Sequence, residues 1–284
     1  MLLSSNTINL HNVYGIQEVL CAFEKNNIGA IDFNNDMPEY CSDAHDEQFY
    51  LELREYAKAH NVTIGQAHAP FASSYVDEER TEKRFSEIVC AMKNASLLGA
   101  PMIVVHACKH LDYEVPGNAE YLFEYNLNFY RSLIPYAEKY GIKIAIENIG
   151  YVSVVSTPER LIRLYDTLDN PVFTICFDVG HCLLQKVDPA EAIRAIGHRM
   201  VDGCTHFHDN NGLTDDHTLP YYGKVDFESV MKALADIGYK GNLSYEAGGF
   251  LTNVPENLRL DALSYMSKVG HHLIDRFEYY KENK

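Results

Sequence analysis

Residues 142–181 read IKIAIENIGYVSVVSTPERLIRLYDTLDNPVFTICFDVGH. Two short, β-branched apolar runs, Ile142–Glu147 and Val172–Phe177, bracket an amphipathic stretch of helical period, Pro158–Leu168. Apolar runs of this length read as strands buried on both faces, as in a parallel sheet. Thr157-Pro158 supplies a cap residue followed by Pro at the first helical position, where its missing N–H is no loss. The segment is a βαβ unit, and each of its strands runs into ionisable residues: Glu147-Asn148 after the first, Asp178-Val179-Gly180-His181 after the second.

The same alternation extends in both directions. Further strands are expected at Leu3–Ile8, Ile28–Phe33, Val62–Ala67, Met102–His106, Val201–Phe207 and Asn242–Tyr245. Helical periodicity covers Gly15–Lys25, Glu47–Lys58, Arg80–Leu98, Ala119–Tyr140, Asp188–Ile196, Phe227–Ile237 and Asn257–Phe277. Gly99, Gly141 and Gly238 stand where helices should stop. Eight βα units in a chain of 284 residues predict an α/β fold, a single (β/α)₈ TIM barrel spanning residues 1–284 as one domain. An open doubly wound sheet is the competing architecture, but no GxGxxG or GxxxxGK[ST] phosphate loop accompanies it.

Charge narrows the function. Lys and Arg number 24 against 40 Asp and Glu, a net charge of −16 that repels phosphate backbones and anionic membranes. This argues against nucleic acid as partner and for a small molecule. The seven cysteines form no CxxC pair, no basic segment precedes a long apolar run at the N-terminus, and no apolar stretch reaches the ~18 residues of a membrane span. A cytoplasmic protein with reduced thiols is expected; homo-oligomerisation is left open.

The strand ends carry the chemistry. From His68 the steps to His106, Glu147, Asp178, His206 and Glu246 are 38, 41, 31, 28 and 40 residues, against about 36 for one βα unit of this chain. Ligand-type residues therefore recur once per unit at one phase, which a barrel gathers at its C-terminal rim. Any one of them alone is more often a hydrogen-bonded rim residue; six in succession are not. Asp178 and His181 flank a Val-Gly turn, and Asp215 and His217 stand two apart in a loop, so each pair is placed to grip one ion. Imidazoles and carboxylates without converging thiolates suit Zn²⁺, Mn²⁺, Co²⁺ or Fe²⁺, with Zn or Mn the leading choices. Tyr222, in a rim loop, and His208 are the candidate substrate contacts. Gly248-Gly249 offers backbone N–H groups in a loop.

These segments resemble the xylose isomerase-like barrel superfamily, which holds sugar isomerases and epimerases and the endonuclease IV-type apurinic endonucleases. The resemblance covers essentially the whole chain. It implies a shared metal centre with Glu147, Asp178, His206 and Glu246 as ligands. In the endonuclease branch further ions would fall to His68, His106, His181, Asp215 and His217, giving one to three ions in all. Ketohexose epimerases of the superfamily place an Arg shortly after the metal-binding His; Asn210-Asn211-Gly212 stands there instead. The loop after His68, Ala69-Pro70-Phe71-Ala72-Ser73-Ser74-Tyr75, lacks the Lys and Arg expected of a duplex binder.

The resemblance and the charge together predict a divalent-metal-dependent isomerase or epimerase. It would act on a small sugar or sugar derivative by proton transfer through an enediolate. Glu147 and Glu246 would be the proton carriers, with His181 steadying the oxyanion. The alternative is an endonuclease IV-like phosphodiester hydrolase acting on abasic DNA; a non-catalytic metal–sugar binding module ranks third.

Overall fold

A computed structural model describes residues 1–284, the side chains of Ile8 and Asn12 excepted. Eight strands form the wall: β1 Leu3–Asn6, β2 Ala30–Asn34, β3 Thr63–His68, β4 Met102–Val105, β5 Lys143–Glu147, β6 Phe173–Asp178, β7 Cys204–His206 and β8 Leu243–Tyr245. All pairings between neighbours are parallel, and β1 pairs with both β2 and β8. The seam between β7 and β8 is joined by a bridge. Phe207 N–H donates to the Ser244 carbonyl (2.7 Å), and Glu246 N–H donates to the Phe207 carbonyl (3.1 Å). The barrel is thus nearly closed, with helices between successive strands.

Side chains alternate across each strand, and the two faces make separate cores. Outward residues such as Ile103, Val105, Ile144, Ile146, Ile175 and Phe177 pack with the helices. Inward residues Met102, Val104, Ala145, Cys176 and Cys204 form a small internal core. They are mostly slender, as the narrow lumen of an eight-stranded barrel requires.

The helices Pro158–Leu168 and Phe227–Ile237 begin and end where the periodicity placed them, and Thr157 and Asp226 cap them through their side chains. Gly99, Gly141 and Gly238 close their helices in the left-handed conformation, which glycine adopts without Cβ strain.

Five local readings are corrected. The N-terminal strand stops at Asn6, and Ile8–Tyr14 is helix rather than strand. Strand seven spans only Cys204–His206. The residues before it turn at Gly203, where an added Cβ would lie 2.2 Å from the Ile175 carbonyl, so the backbones touch. The supposed Val179-Gly180 turn is the first turn of a helix, Val179–Leu184, capped by Asp178. Gly248-Gly249 opens a short helix, Gly248–Thr252. The last helix, Arg259–Glu282, runs five residues past the expected Phe277.

Candidate metal centre

The phase that sets the inner core also sets the site. Two residues beyond Gln66, Val104, Ala145, Cys176, Cys204 and Ser244 come His68, His106, Glu147, Asp178, His206 and Glu246. Each therefore points into the lumen at the C-terminal rim. Donor atoms of Glu147, Asp178, His206 and Glu246 lie within 4.8 Å of one another, as do those of His68, His106 and Glu147. Glu147 belongs to both sets. Its Oε1 meets His206 Nδ1 at 2.8 Å and its Oε2 meets His106 Nε2 at 2.8 Å and His68 Nε2 at 3.4 Å.

A third set lies to one side: His181, His208, Asp215 and His217. Asp215 Oδ2 is 3.3 Å from both His181 Nε2 and His217 Nε2. His208 Nε2 reaches Asp178 Oδ1 at 2.9 Å, and its ring stacks on that of His217 with centroids 3.9 Å apart. Gly180 explains part of the Asp-Val-Gly-His spacing: a Cβ there would lie 2.1 Å from His208 Cε1, so only glycine admits the imidazole. Asp178 Oδ1 also accepts the His181 N–H at 2.6 Å as the helix cap.

Several imidazoles are fixed by backbone carbonyls. The carbonyls of Ala69, Asn148 and Glu246 lie 2.7, 2.9 and 2.8 Å from Nδ1 of His68, His181 and His217. A neutral ring that donates Nδ1–H to a carbonyl presents Nε2 as its free donor, which is the usual way a protein orients a metal-binding histidine. Asp178 Oδ2 and His208 Nδ1 are buried with no hydrogen-bond partner among the described residues. Buried polar atoms are normally paired, so these unpaired atoms beside clustered donors fit a cation.

Electrostatics point the same way. Burial opposes charge on every group here, yet the mutual pairing overrides it. Burial would lower His68, but Glu147 carries it up to about 9. Burial likewise opposes His181, which Asp178 and Asp215 raise to about 10, and His217, which Asp215 and Glu246 raise to about 9. His206 is held well above the ordinary imidazole range, against burial, by Glu246, Glu147 and Asp32. Burial pushes Glu147 and Asp178 up, but their histidine neighbours bring Glu147 well below the carboxylate range and lower Asp178 as well. Without a cation the acidic donors are neutralised by protons on the histidines. Divalent ions would take over that role, and imidazole with carboxylate suits Zn²⁺ or Mn²⁺.

Above the donors opens a cavity of about 550 Å³. His68, His106, His181, Asp215, His217 and Glu246 border it. The two candidate substrate contacts lie elsewhere. His208 is fully buried within the third donor set. Tyr222 is exposed and packs against Phe250 and Tyr265, and it is not among the cavity walls. Asp209 is structural: its carboxylate accepts the N–H groups of Gly223, Lys224 and Val225 at 2.8, 2.9 and 3.1 Å and holds the loop after β7.

One residue escaped the sequence reading. Asp32, fully buried on β2, places Oδ2 3.0 Å from His206 Nε2, and Gln66 Nε2 donates to the same oxygen at 3.2 Å. Asp32 thus grips the far nitrogen of an imidazole whose near nitrogen faces Glu147. The signal was an acid at the inward phase of an apolar run, Ile31-Asp32-Phe33.

Residues 26–266 match the xylose isomerase-like TIM barrel family, and the chain belongs to it. Among curated relatives, fructoselysine 3-epimerase of Escherichia coli O157:H7 is 26% identical over 204 residues, 68% of this chain and 70% of that protein. Among solved structures, a D-tagatose 3-epimerase-like protein superposes with a TM-score of 0.78 at 24% identity, covering 100% of this chain and 99% of the other. The IOLI protein, solved with a bound zinc atom, gives 0.74 at 20% identity and 99% of both chains. The curated proteins it matches include sugar isomerases and epimerases. Among the described residues no helix is long and apolar enough to cross a membrane.

Proposed function

We propose that the chain is a divalent-metal-dependent isomerase or epimerase of a small sugar, working by proton transfer next to a carbonyl. One observation carries this reading: four donors, Glu147, Asp178, His206 and Glu246, converge within 4.8 Å beneath a cavity that no Lys or Arg lines. A cation held there would supply Lewis acidity toward a carbonyl and its neighbouring hydroxyl. The zinc of the similarly folded IOLI protein is consistent with Zn²⁺.

The two glutamates are not equivalent. Glu147 is fully buried beneath its histidines, whereas Glu246 retains 21% exposure and borders the cavity. Glu246 is therefore the group that first meets a substrate C–H and accepts its proton, leaving an enediolate. For isomerisation Glu246 would return the same proton to the neighbouring carbon; for epimerisation Glu147 would have to enter protonated and give its proton to the opposite face, and the reverse reaction would restore both glutamates. His181, at the cavity wall and hydrogen-bonded to Asn148, steadies the developing oxyanion.

A second reading has its own observation. The sets His68/His106/Glu147 and His181/His208/Asp215/His217 offer places for a second and third ion, the ion complement of an abasic-site hydrolase. Two measurements separate the readings: exchange of the α-proton of ketoses in D₂O, and cleavage of abasic duplex DNA, both with metal-loaded protein. Exchange is expected. Efficient cleavage with no exchange on any ketose would transfer the protein to the hydrolases.

A further inference from the structure

The cavity wall is sorted by chemistry around its circumference. Over β1 and β2 it is amide, from Asn6, Asn9 and Asn34; over β6 to β8 it is acidic, from Asp215, Asp216 and Glu246. Over β3 to β5 it is aromatic. Phe71, in the loop after β3, and Tyr151, in the loop after β5, stand on either side of the β4 end, with the Phe71 ring 6.0 Å from that of His106. They remain 51% and 40% exposed, so the fold does not use them as core.

Both positions are held from outside. Arg84 donates to the Phe71 carbonyl at 3.0 Å, and the Lys109 ammonium sits 3.5 Å over the Tyr151 ring. Neither cation lines the cavity. With the Phe71 backbone fixed and the Tyr151 ring covered on one face, the two aromatics present an apolar surface at the cavity rim, and a two-torsion aromatic side chain loses little entropy when a ligand covers it.

We propose that Phe71 and Tyr151 form an apolar subsite for a substituent on the sugar, and that the substrate class is a neutral keto-sugar carrying an alkyl or aryl group away from its carbonyl. This rests on reading the site as a sugar site. Amides recognise hydroxyl groups through both donor and acceptor without adding charge. The wall has no Lys or Arg, and its histidines His68, His181 and His217 are already paired with Glu147 and Asp215, so a phosphate would meet no unpaired cationic side chain there. The cavity has the volume of about eighteen water molecules, at roughly 30 Å³ each, more than a bare hexose fills.

Calorimetric titration of the full chain, loaded with Mn²⁺ and also metal-free, tests the proposal. The probes are the methyl and phenyl glycosides of fructose, glucose and galactose, with fructose 6-phosphate as the charged control. For a sugar that binds, the phenyl glycoside should bind about tenfold more tightly than the methyl, the worth of burying roughly two methylene groups. Phe71→Ala or Tyr151→Ala should erase that difference, and Tyr151→Phe should preserve it. Equal affinity for methyl and phenyl glycosides, or tightest binding of the phosphate, overturns the subsite while α-proton exchange on ketoses still upholds the sugar reading. Failure of every glycoside to bind overturns the subsite; absence of α-proton exchange on every ketose, measured separately, overturns the sugar reading.

Discussion

Replacing Asp32 by Asn isolates one contact of the metal centre. Asp32 Oδ2 lies 3.0 Å from His206 Nε2 with both residues fully buried, so this is a charge-assisted hydrogen bond shielded from water. Asn keeps the shape and an acceptor oxygen but removes the charge. Hydrogen bonds to ionised groups are worth about 1.5–3 kcal/mol and neutral ones about 0.5–1.5, so the change should cost about 1–1.5 kcal/mol. That loss falls on the basicity and orientation of His206, and hence on the ion it would hold with Glu147, Asp178 and Glu246. An energy of about 1.4 kcal/mol is tenfold in affinity, at the lower edge of the 10- to 100-fold range typical of such outer partners. Competition against a chelating dye measures it directly for Zn²⁺ and Mn²⁺. In a His206→Ala background the Asp32→Asn change should have no further effect on metal affinity, because its route is gone. Metal affinity within twofold of the parent in the single variant would refute the reasoning.

Other perturbations reach different parts of the site. Glu246→Gln keeps the volume at the cavity floor but cannot accept a proton, so α-proton exchange should fall by at least about 10²-fold; retained exchange would move the base elsewhere. Gly180→Ala should lower the Tm of the metal-free protein by several degrees, since the new Cβ lies 2.1 Å from a His208 ring wedged against His217. Overpacking of that kind costs about 1–3 kcal/mol, and each kcal/mol moves Tm by roughly 2–4 °C in a chain of this size; an unchanged Tm would mean that the ring yields freely. Against pH, the metal-free protein should lose stability as pH rises from about 6.5, the ordinary histidine value, through the raised values of about 9 for His68 and His217 and about 10 for His181. A raised folded-state value stabilises only while the proton is on. Metal-loaded protein, whose imidazoles have already given up those protons, should show no such slope between pH 7 and 9, and the contrast is read by thermal melts at fixed salt.

The barrel was legible because its evidence is redundant. Apolar runs such as Ile142–Glu147, the Thr157-Pro158 start and the Gly141 stop each speak to a local choice, and all agree. What failed was the choice of ends set by tertiary contact. The segment Val201–Phe207 begins and ends on apolar residues, yet Gly203 packs against the backbone of β6 and leaves only Cys204–His206 as strand. Likewise Leu3–Ile8 is bounded by apolar residues, but the barrel wall ends at Asn6 and the chain turns into helix, burying Leu10. Apolar positions record burial, and Leu3, Leu10, Cys204 and Phe207 are buried whether in strand, in helix or beyond them.

The donors were legible for a stricter reason, and the same reason exposes what was overlooked. On a strand the side-chain period is two, so a residue's face is fixed once one neighbour's face is known. Applied to strand seven, His206 inward requires Phe207 outward and His208 inward again, one layer higher. His208 duly meets Asp178 and stacks on His217, joining the third donor set instead of the substrate. Applied to β2, Phe33 outward requires Asp32 inward, where it reaches His206 across the lumen. Tyr222 had no such constraint, because a loop carries no period. Its aromatic character matched a substrate contact equally well at Phe71 and Tyr151, and only the folded chain shows that these two face the cavity while Tyr222 packs against Phe250.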